Sequence, residues 1–200
     1  MSDVTTTKRG RPGYDQRAIL DIAVAAFNEY GYDATSMGVL AARLDLSKAA
    51  IYHHFSSKEE LLALALNEAL TGLEGVLLEE GALDGAAIDR LAYVLRGAVQ
   101  VLTAKLPSVT LLLRVRGNSD VERQALTRRR AFDRAVSALV VQAREEGTIR
   151  ADVDPRIVTR LVFGMVNSIA EWYRPEGPED AAELADDVLK LALDGLRMPR

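Results

Sequence analysis

The two histidines of this 200-residue chain, His53 and His54, are adjacent, and the chain has no cysteine. Neighbouring side chains on a helix diverge by roughly 100°. The pair therefore cannot close on one metal ion, and no other His or thiolate exists to complete a site. The usual nucleophile–base pairs are missing for the same reason. The sequence also lacks a Gly-rich phosphate loop, a G-x-S-x-G elbow and an H-E-x-x-H pair. No catalytic residue, no metal and no cofactor is predicted. The chemistry that remains is the binding of anions and of apolar groups. Between residues 114 and 134, Arg114, Arg116, Arg123, Arg128, Arg129, Arg130 and Arg134 stand against Asp120, Glu122 and Asp133, a net of four positive charges in a chain whose overall charge is −4. Guanidinium forks suit phosphates. The plainer reading is an exposed helix face paired with acidic neighbours.

A second concentration of polar side chains lies in residues 35–61, TSMGVLAARLDLSKAAIYHHFSSKEEL. The pattern predicts a short helix, a tight turn, a second short helix and the capped start of a third. Thr35 and Ser36 open the first helix, and the Thr35 hydroxyl can cap its free N–H groups. Asp45 occupies the turn and tolerates the left-handed conformation such a turn needs, though less well than glycine. Ser47 is placed to cap residues 48–54, and Ser57-Lys58-Glu59-Glu60 fits a capping box. Leu40, Leu44, Leu46, Ile51 and Phe55 can bury one side. Ser47, Lys48, Ala49, Tyr52 and His53 are left facing outward, with Lys58 close behind. Two short helices joined in this way form a helix-turn-helix, whose second helix enters the major groove of DNA. Lys48 and Lys58 suit phosphates, and Tyr52 can lay its ring in the groove.

The run Ser47-Lys48-Ala49-Ala50-Ile51-Tyr52-His53-His54-Phe55, followed by Lys58-Glu59-Glu60-Leu61, resembles the DNA-binding signature of the TetR family of transcriptional regulators. Ile19-Leu20, Ala23, Ala26, Phe27 and Gly31-Tyr32-x-x-Thr35 are similar to the same family's first helix and its exit. Asp45 departs from the Gly usual in the turn, and Ala50 stands where Thr or Ser is common, so a hydroxyl contact to DNA is not carried over to that position. The resemblance implies DNA contacts from Thr35, Ser36, Ser47, Lys48, Ala49, Tyr52, His53 and Lys58. It also implies a homodimer on double-stranded operator DNA and a small-molecule effector that releases it, which makes a repressor the expected role.

The rest of the chain must position these groups. Apolar periodicity predicts helices over 15–30, 58–78, 86–106, 108–116, 121–146, 155–173 and 179–196, with a loop at 79–85. Together with the helix-turn-helix this is an all-α chain of about nine helices. Residues 1–13 form a basic tail containing Lys8, Arg9 and Arg11, which is either a minor-groove arm or a disordered solubilising segment. Residues 14–57 are the DNA-binding unit, and 58–200 serve effector binding and dimerisation. The family resemblance implies that the last two helices pair between subunits, through Leu161, Met165, Trp172, Val188 and Leu191. No apolar run approaches a membrane span and no leader sequence is visible, so a cytoplasmic protein without membrane contact is expected.

For the effector, an apolar body would fill a cavity beside Leu95, Leu102, Leu111 and Phe132, and Arg114 and Arg128 would meet an anionic end. Residues 171–178, EWYRPEGP, are similar to the W-Y-R-P-x-G segment of TetR-type regulators that sense acyl-coenzyme A thioesters. An acyl-coenzyme A is therefore the leading effector. The competing reading is a neutral or cationic drug-like ligand, as in the family's efflux regulators. A DNA-binding protein without any ligand is the third, and would not need so large an apolar second half.

Overall fold

The computed structural model describes residues 15–197. The basic segment 1–13, and with it the predicted arm, lies outside them. Among the described residues there are ten helices: α1 Gln16–Tyr30, α2 Met37–Leu44, α3 Lys48–His54, α4 Lys58–Val76, α5 Glu80–Leu83, α6 Ala87–Ala104, α7 Leu106–Arg114, α8 Asp120–Glu145, α9 Pro155–Trp172 and α10 Ala181–Leu196. No strand occurs among them. One isolated bridge joins Ile149 to Arg197 and fastens the end of α10 to the α8–α9 connection. No described helix is long and apolar enough to cross a membrane.

The tenth helix is the single turn α5, inside the segment expected to be a loop. It forms where Gly81 packs against the ring of Tyr93, at a spacing that leaves no room for a Cβ. Tyr93 in turn donates its hydroxyl to Glu79 at 2.5 Å. A second difference lies at Pro107. The helix break is at Lys105, one residue after α6, and Pro107 sits in the first turn of α7. There its missing N–H costs nothing, since that donor would have had no partner in the helix.

Helices α1 to α3 form a compact head. Ile19, Ala23 and Phe27 of α1 meet Leu40 and Leu44 of α2, Ile51 of α3 and Phe55, all buried. Each large side chain so buried contributes about 1.5–3 kcal/mol relative to exposure. Serine side chains set the helix starts, with Ser36, Ser47 and Ser57 accepting from the backbone N–H of Val39, Ala50 and Glu60. The box expected at Ser57 closes one residue earlier. Glu60 returns to the N–H and hydroxyl of Ser56, at 2.6 and 2.7 Å.

The turn between α2 and α3 carries Asp45 at φ 52°, ψ 40°, the one non-glycine residue with positive φ among those described. A side chain with a Cβ pays about 1–2 kcal/mol there, and glycine does not. Asp45→Gly should therefore be more stable than Asp45→Ala by about 1 kcal/mol, as read from paired denaturant melts. Both variants lose the carboxylate, so equal stability would mean that the backbone conformation carries no strain.

The head does not end at α3. Its apolar cluster continues without a break through Leu61, Leu62, Ala65 and Leu66 of α4 into Val109, Leu111 and Leu112 of α7 and on to Val166 and Ile169 of α9. Polar contacts reinforce the junction. Asn28 of α1 donates its side-chain N–H to the Pro107 carbonyl at 2.8 Å, and Arg114 of α7 donates to the Asn28 carbonyl at 2.6 Å. Glu68 of α4 meets Arg17 at 3.0 Å and accepts from Ser108 at 3.1 Å. A second cluster, built from Leu91, Val94 and Leu95 of α6, Val136, Leu139 and Val140 of α8, Val158 and Val162 of α9 and Leu189 and Leu193 of α10, forms the far half of the body. Near the start of α8, Glu122 accepts from the backbone N–H groups of Arg116, Gly117 and Asn118. Burial pushes its carboxyl up, but these three donors bring it below the ordinary carboxylate value.

Candidate nucleic-acid interface and effector cavity

The outer face of α3 is built from Lys48, Ala49, Tyr52 and His53, all exposed, while Ile51 faces inward with no exposed surface. Tyr52 keeps half of its surface exposed (51%), which is uncommon for a tyrosine inside a packed three-helix head. Ser36 and Ser47 cap α2 and α3 from exposed positions. The stem of Lys48 runs across Gly38 of α2. A Cβ at Gly38 would stand 2.9 Å from Lys48 Cε, so the glycine lets the two helix starts come together. Their unsatisfied N–H groups and one ammonium thus share a single face, an arrangement that suits DNA phosphates.

Two predicted DNA-facing residues are placed elsewhere. Thr35 is fully buried, and its hydroxyl donates to the Gly31 carbonyl at 2.8 Å. It ties the end of α1 to the start of α2, and the cap it was expected to supply comes from Ser36. Lys58 donates to the Tyr32 carbonyl at 2.8 Å, and its ammonium lies 4.1 Å from the centre of the Tyr32 ring. Its charge is held within the head by a hydrogen bond and a cation–π contact. His53 and His54 meet edge to face, with ring centres 5.4 Å apart.

In the body, an enclosed apolar cavity of about 30 Å³ lies between α6, α7, α8 and α9, walled by Leu102, Val109, Leu112, Phe132, Phe163 and Val166 among others. Phe132 and Phe163 meet edge to face at 5.6 Å. The cavity adjoins an open cleft of about 430 Å³ between α8 and α9. Arg129, Asp133, Phe163 and Asn167 line both, and so form the neck between them. The cleft adds Arg130 and Arg134 from α8 and Arg156 and Arg160 from α9. Arg156 pairs with Asp154 at 2.8 Å. Among the described residues Arg129, Arg130, Arg134 and Arg160 make no ion pair or hydrogen bond, so four guanidinium groups share one cleft in which Asp133 is the one carboxylate.

Of the residues expected at the effector, Leu102 and Phe132 line the cavity and four do not. Leu95 is buried in the second apolar cluster. Leu111 is buried in the same apolar cluster as Val109 and Leu112 but does not line the cavity. Arg114 clamps α1, as described above. Arg128 is taken up by Glu74 of α4 at 2.6 Å and by Asn67 at 2.9 Å. The W-Y-R-P segment lines neither space: Trp172 is half-exposed, Tyr173 is buried, and Arg174 turns back to the Tyr173 carbonyl at 2.9 Å. Arg156 and Arg160 were missed. They share a helical face with Phe163 and Asn167, at spacings of four, three and four residues that are present in the sequence once α9 is given two working faces.

The neighbouring face of α9 shows Ile157, Leu161, Ser168 and Trp172 to solvent, with Gly164 at its border with the cleft, and Leu191 of α10 joins it. Leu161 and Leu191 are 67% and 71% exposed, which suits a face covered by a partner subunit. Met165 is partly buried. Val188 is only 5% exposed and belongs to the subunit's own core, so it is withdrawn from the predicted interface.

Two family profiles cover most of the chain. One, described as bacterial regulatory proteins of the tetR family, matches residues 19–65. The other, described as a tetracyclin repressor-like C-terminal domain, matches residues 84–196. The HTH-type transcriptional repressor KstR2 of Rhodococcus jostii is 26% identical, over 99% of this chain and 97% of its own length. SCO3833 of Streptomyces coelicolor A3, a member of the TetR regulator family, superposes with a TM-score of 0.85 at 51% identity, covering 98% of this chain and 96% of that one. AibR, solved in complex with isovaleryl coenzyme A and operator DNA, superposes with a TM-score of 0.75 at 26% identity over 89% of this chain and 97% of its own. The chain belongs to the TetR family of ligand-responsive, DNA-binding transcriptional regulators.

Proposed function

We propose that this regulator is a homodimeric repressor released from its operator by a short-chain acyl thioester of coenzyme A. The observation that carries this reading is the adjacency of an enclosed apolar cavity to a cleft with four unpaired guanidinium groups. The acyl group fills the cavity, and Arg129, Arg130, Arg134 and Arg160 meet the phosphates outside it. At about 30 Å³ the cavity is the size of about one or two waters, so its walls must part for an acyl group of a few carbons to enter. AibR, similar in fold, is known with isovaleryl coenzyme A, which supports the same ligand class for this chain.

Ser36, Ser47, Lys48, Ala49, Tyr52 and His53 contact the operator, and residues 14–57 act as the DNA-binding unit of a cytoplasmic protein that binds without catalysing. Residues 58–200 bind effector and partner. The effector must bind more tightly to a pair of heads spaced wrongly for the operator, because a ligand shifts only an equilibrium whose states it distinguishes.

The test is release from operator DNA selected from a random pool, followed by fluorescence anisotropy. Isovaleryl coenzyme A should release the wild type. The double variant Arg129→Ala/Arg160→Ala should need at least about tenfold more, since each charge-assisted hydrogen bond contributes about 1.5–3 kcal/mol. Thioesters that leave the complex intact, beside a neutral or cationic apolar compound that dissolves it, would refute the reading.

A further inference from the structure

We propose that Asp133 is a specificity-determining residue of the effector site, which rejects free carboxylic acids and accepts ligands that bring a neutral N–H or O–H donor to the neck. The inference rests on the thioester reading for its natural ligand but is tested without one.

Asp133 lines both the cavity and the cleft, one turn of α8 beyond Arg129. Phe163 and Asn167 of α9 face it across the neck. The residue is partly buried, yet among the described residues no hydrogen bond or ion pair reaches it. A carboxylate is an acceptor only, and an acceptor taken partly out of water with nothing to accept is costly. Burial raises its carboxyl above the ordinary value, against the opposing pull of Arg129 and Arg134. The group is therefore a standing acceptor turned toward the space a ligand must thread.

Its charge also reshapes the field. The cleft outside the neck is strongly cationic and would draw in any anion. At the neck itself Asp133 offsets Arg129, so the passage to the cavity carries no net positive charge. A short fatty acid with its tail in the cavity must set its carboxylate there, beside the Asp133 carboxylate. A thioester is neutral at that depth. Its first amide N–H follows the sulfur by two methylene groups, within reach of an acceptor at the cleft side of the neck. Three zones result along one axis: apolar, acceptor, then cationic. They match an acyl tail, a donor-bearing neutral linker and phosphates.

Isovalerate and isovaleramide are isosteric probes that share a tail and differ only in whether the head is an anion or a neutral donor. Ligand-observed NMR titrations of the full-length dimer should show that wild type favours isovaleramide. Asp133→Asn should gain about tenfold in affinity for isovalerate, the scale expected for removing one charge a few ångströms away at a partly buried site. Asp133→Glu should keep the wild-type preference. If Asp133→Asn does not fold, Asp133→Ala must show the same gain. An amide-to-acid preference that is unchanged by either neutral variant overturns the inference, as does failure of both probes to bind any of the proteins. Isovaleryl coenzyme A is titrated in parallel. If it fails to bind while the preference still follows residue 133, the thioester reading falls and the neck remains selective. If it binds while the preference ignores residue 133, the reverse holds.

Discussion

Replacing Leu161 and Leu191 with Asp should leave the chain folded but monomeric, and operator affinity should fall by about two orders of magnitude or more. Both side chains lie on the surface of the isolated subunit, 67% and 71% exposed, so the substitutions disturb no internal packing. In a dimer they would bring unpaired carboxylates into an apolar contact, at a cost of several kcal/mol. Ile157, Gly164, Ser168 and Trp172 continue the same stripe, at spacings of three and four residues along α9. Gly164 and Gly195 have open space where a Cβ would stand, so a partner helix can approach closely at both. DNA affinity falls because a lone head makes half the contacts and loses the effective concentration of its twin. Sedimentation velocity and anisotropy measure the two effects. A double variant that still sediments as a dimer would place the interface elsewhere. Asp at Val188 would not test this, since it would damage the subunit's own core.

The second large effect concerns the DNA face. Lys48→Ala/Tyr52→Ala should weaken operator binding by about a hundredfold at low salt, from one phosphate contact and one ring in the groove at about 1–3 kcal/mol together. Lys48→Ala alone should lower the slope of log K against log salt by about one unit. Lys58→Ala is the informative contrast. Its ammonium is held by the Tyr32 carbonyl and ring, so the variant should melt earlier while leaving the salt slope near that of the wild type. Should Lys58→Ala change the slope and Lys48→Ala not, the two lysines have been assigned the wrong way round.

The helices of the head could be read because each carries its own start signal and apolar stripe. Ser47 before Lys48, and Ile51 with Phe55 on one side, leave little choice about which face of α3 turns out. Thr35 shows where local reading stops. Thr and Ser are both good caps, and position 35 or 36 could have served. What decides between them is the full burial of Thr35, whose hydroxyl turns back to the Gly31 carbonyl. The effector site was legible in kind but not in detail. An Arg-rich stretch was visible, yet whether a given Arg meets a ligand or a glutamate depends on which helix packs beside it. Arg128 faces α4 and pairs with Glu74, while Arg129, one residue on, faces the α8–α9 cleft and makes no ion pair. A step of one residue turns a side chain by about 100°, and no composition argument resolves that. The dimer face was clouded for the same reason: Val188 and Leu191 fall on one broad apolar side of α10, and packing against α6 and α9 takes the first and leaves the second.

The apolar core that runs unbroken from α1 through α4 to α7 also bears on how such a protein can be re-engineered. Grafting a DNA-reading head onto a different sensor is an attractive route to new genetic switches. Here a cut after α3 would expose the surfaces that Leu61, Leu62 and Leu66 cover, and would leave the Asn28 and Arg114 hydrogen bonds without partners. A transplanted 15–57 fragment should be sticky and poorly folded. The workable seam for a chimera follows the packing instead: α4 and the α7 clamp travel with the head, and recombination falls beyond them.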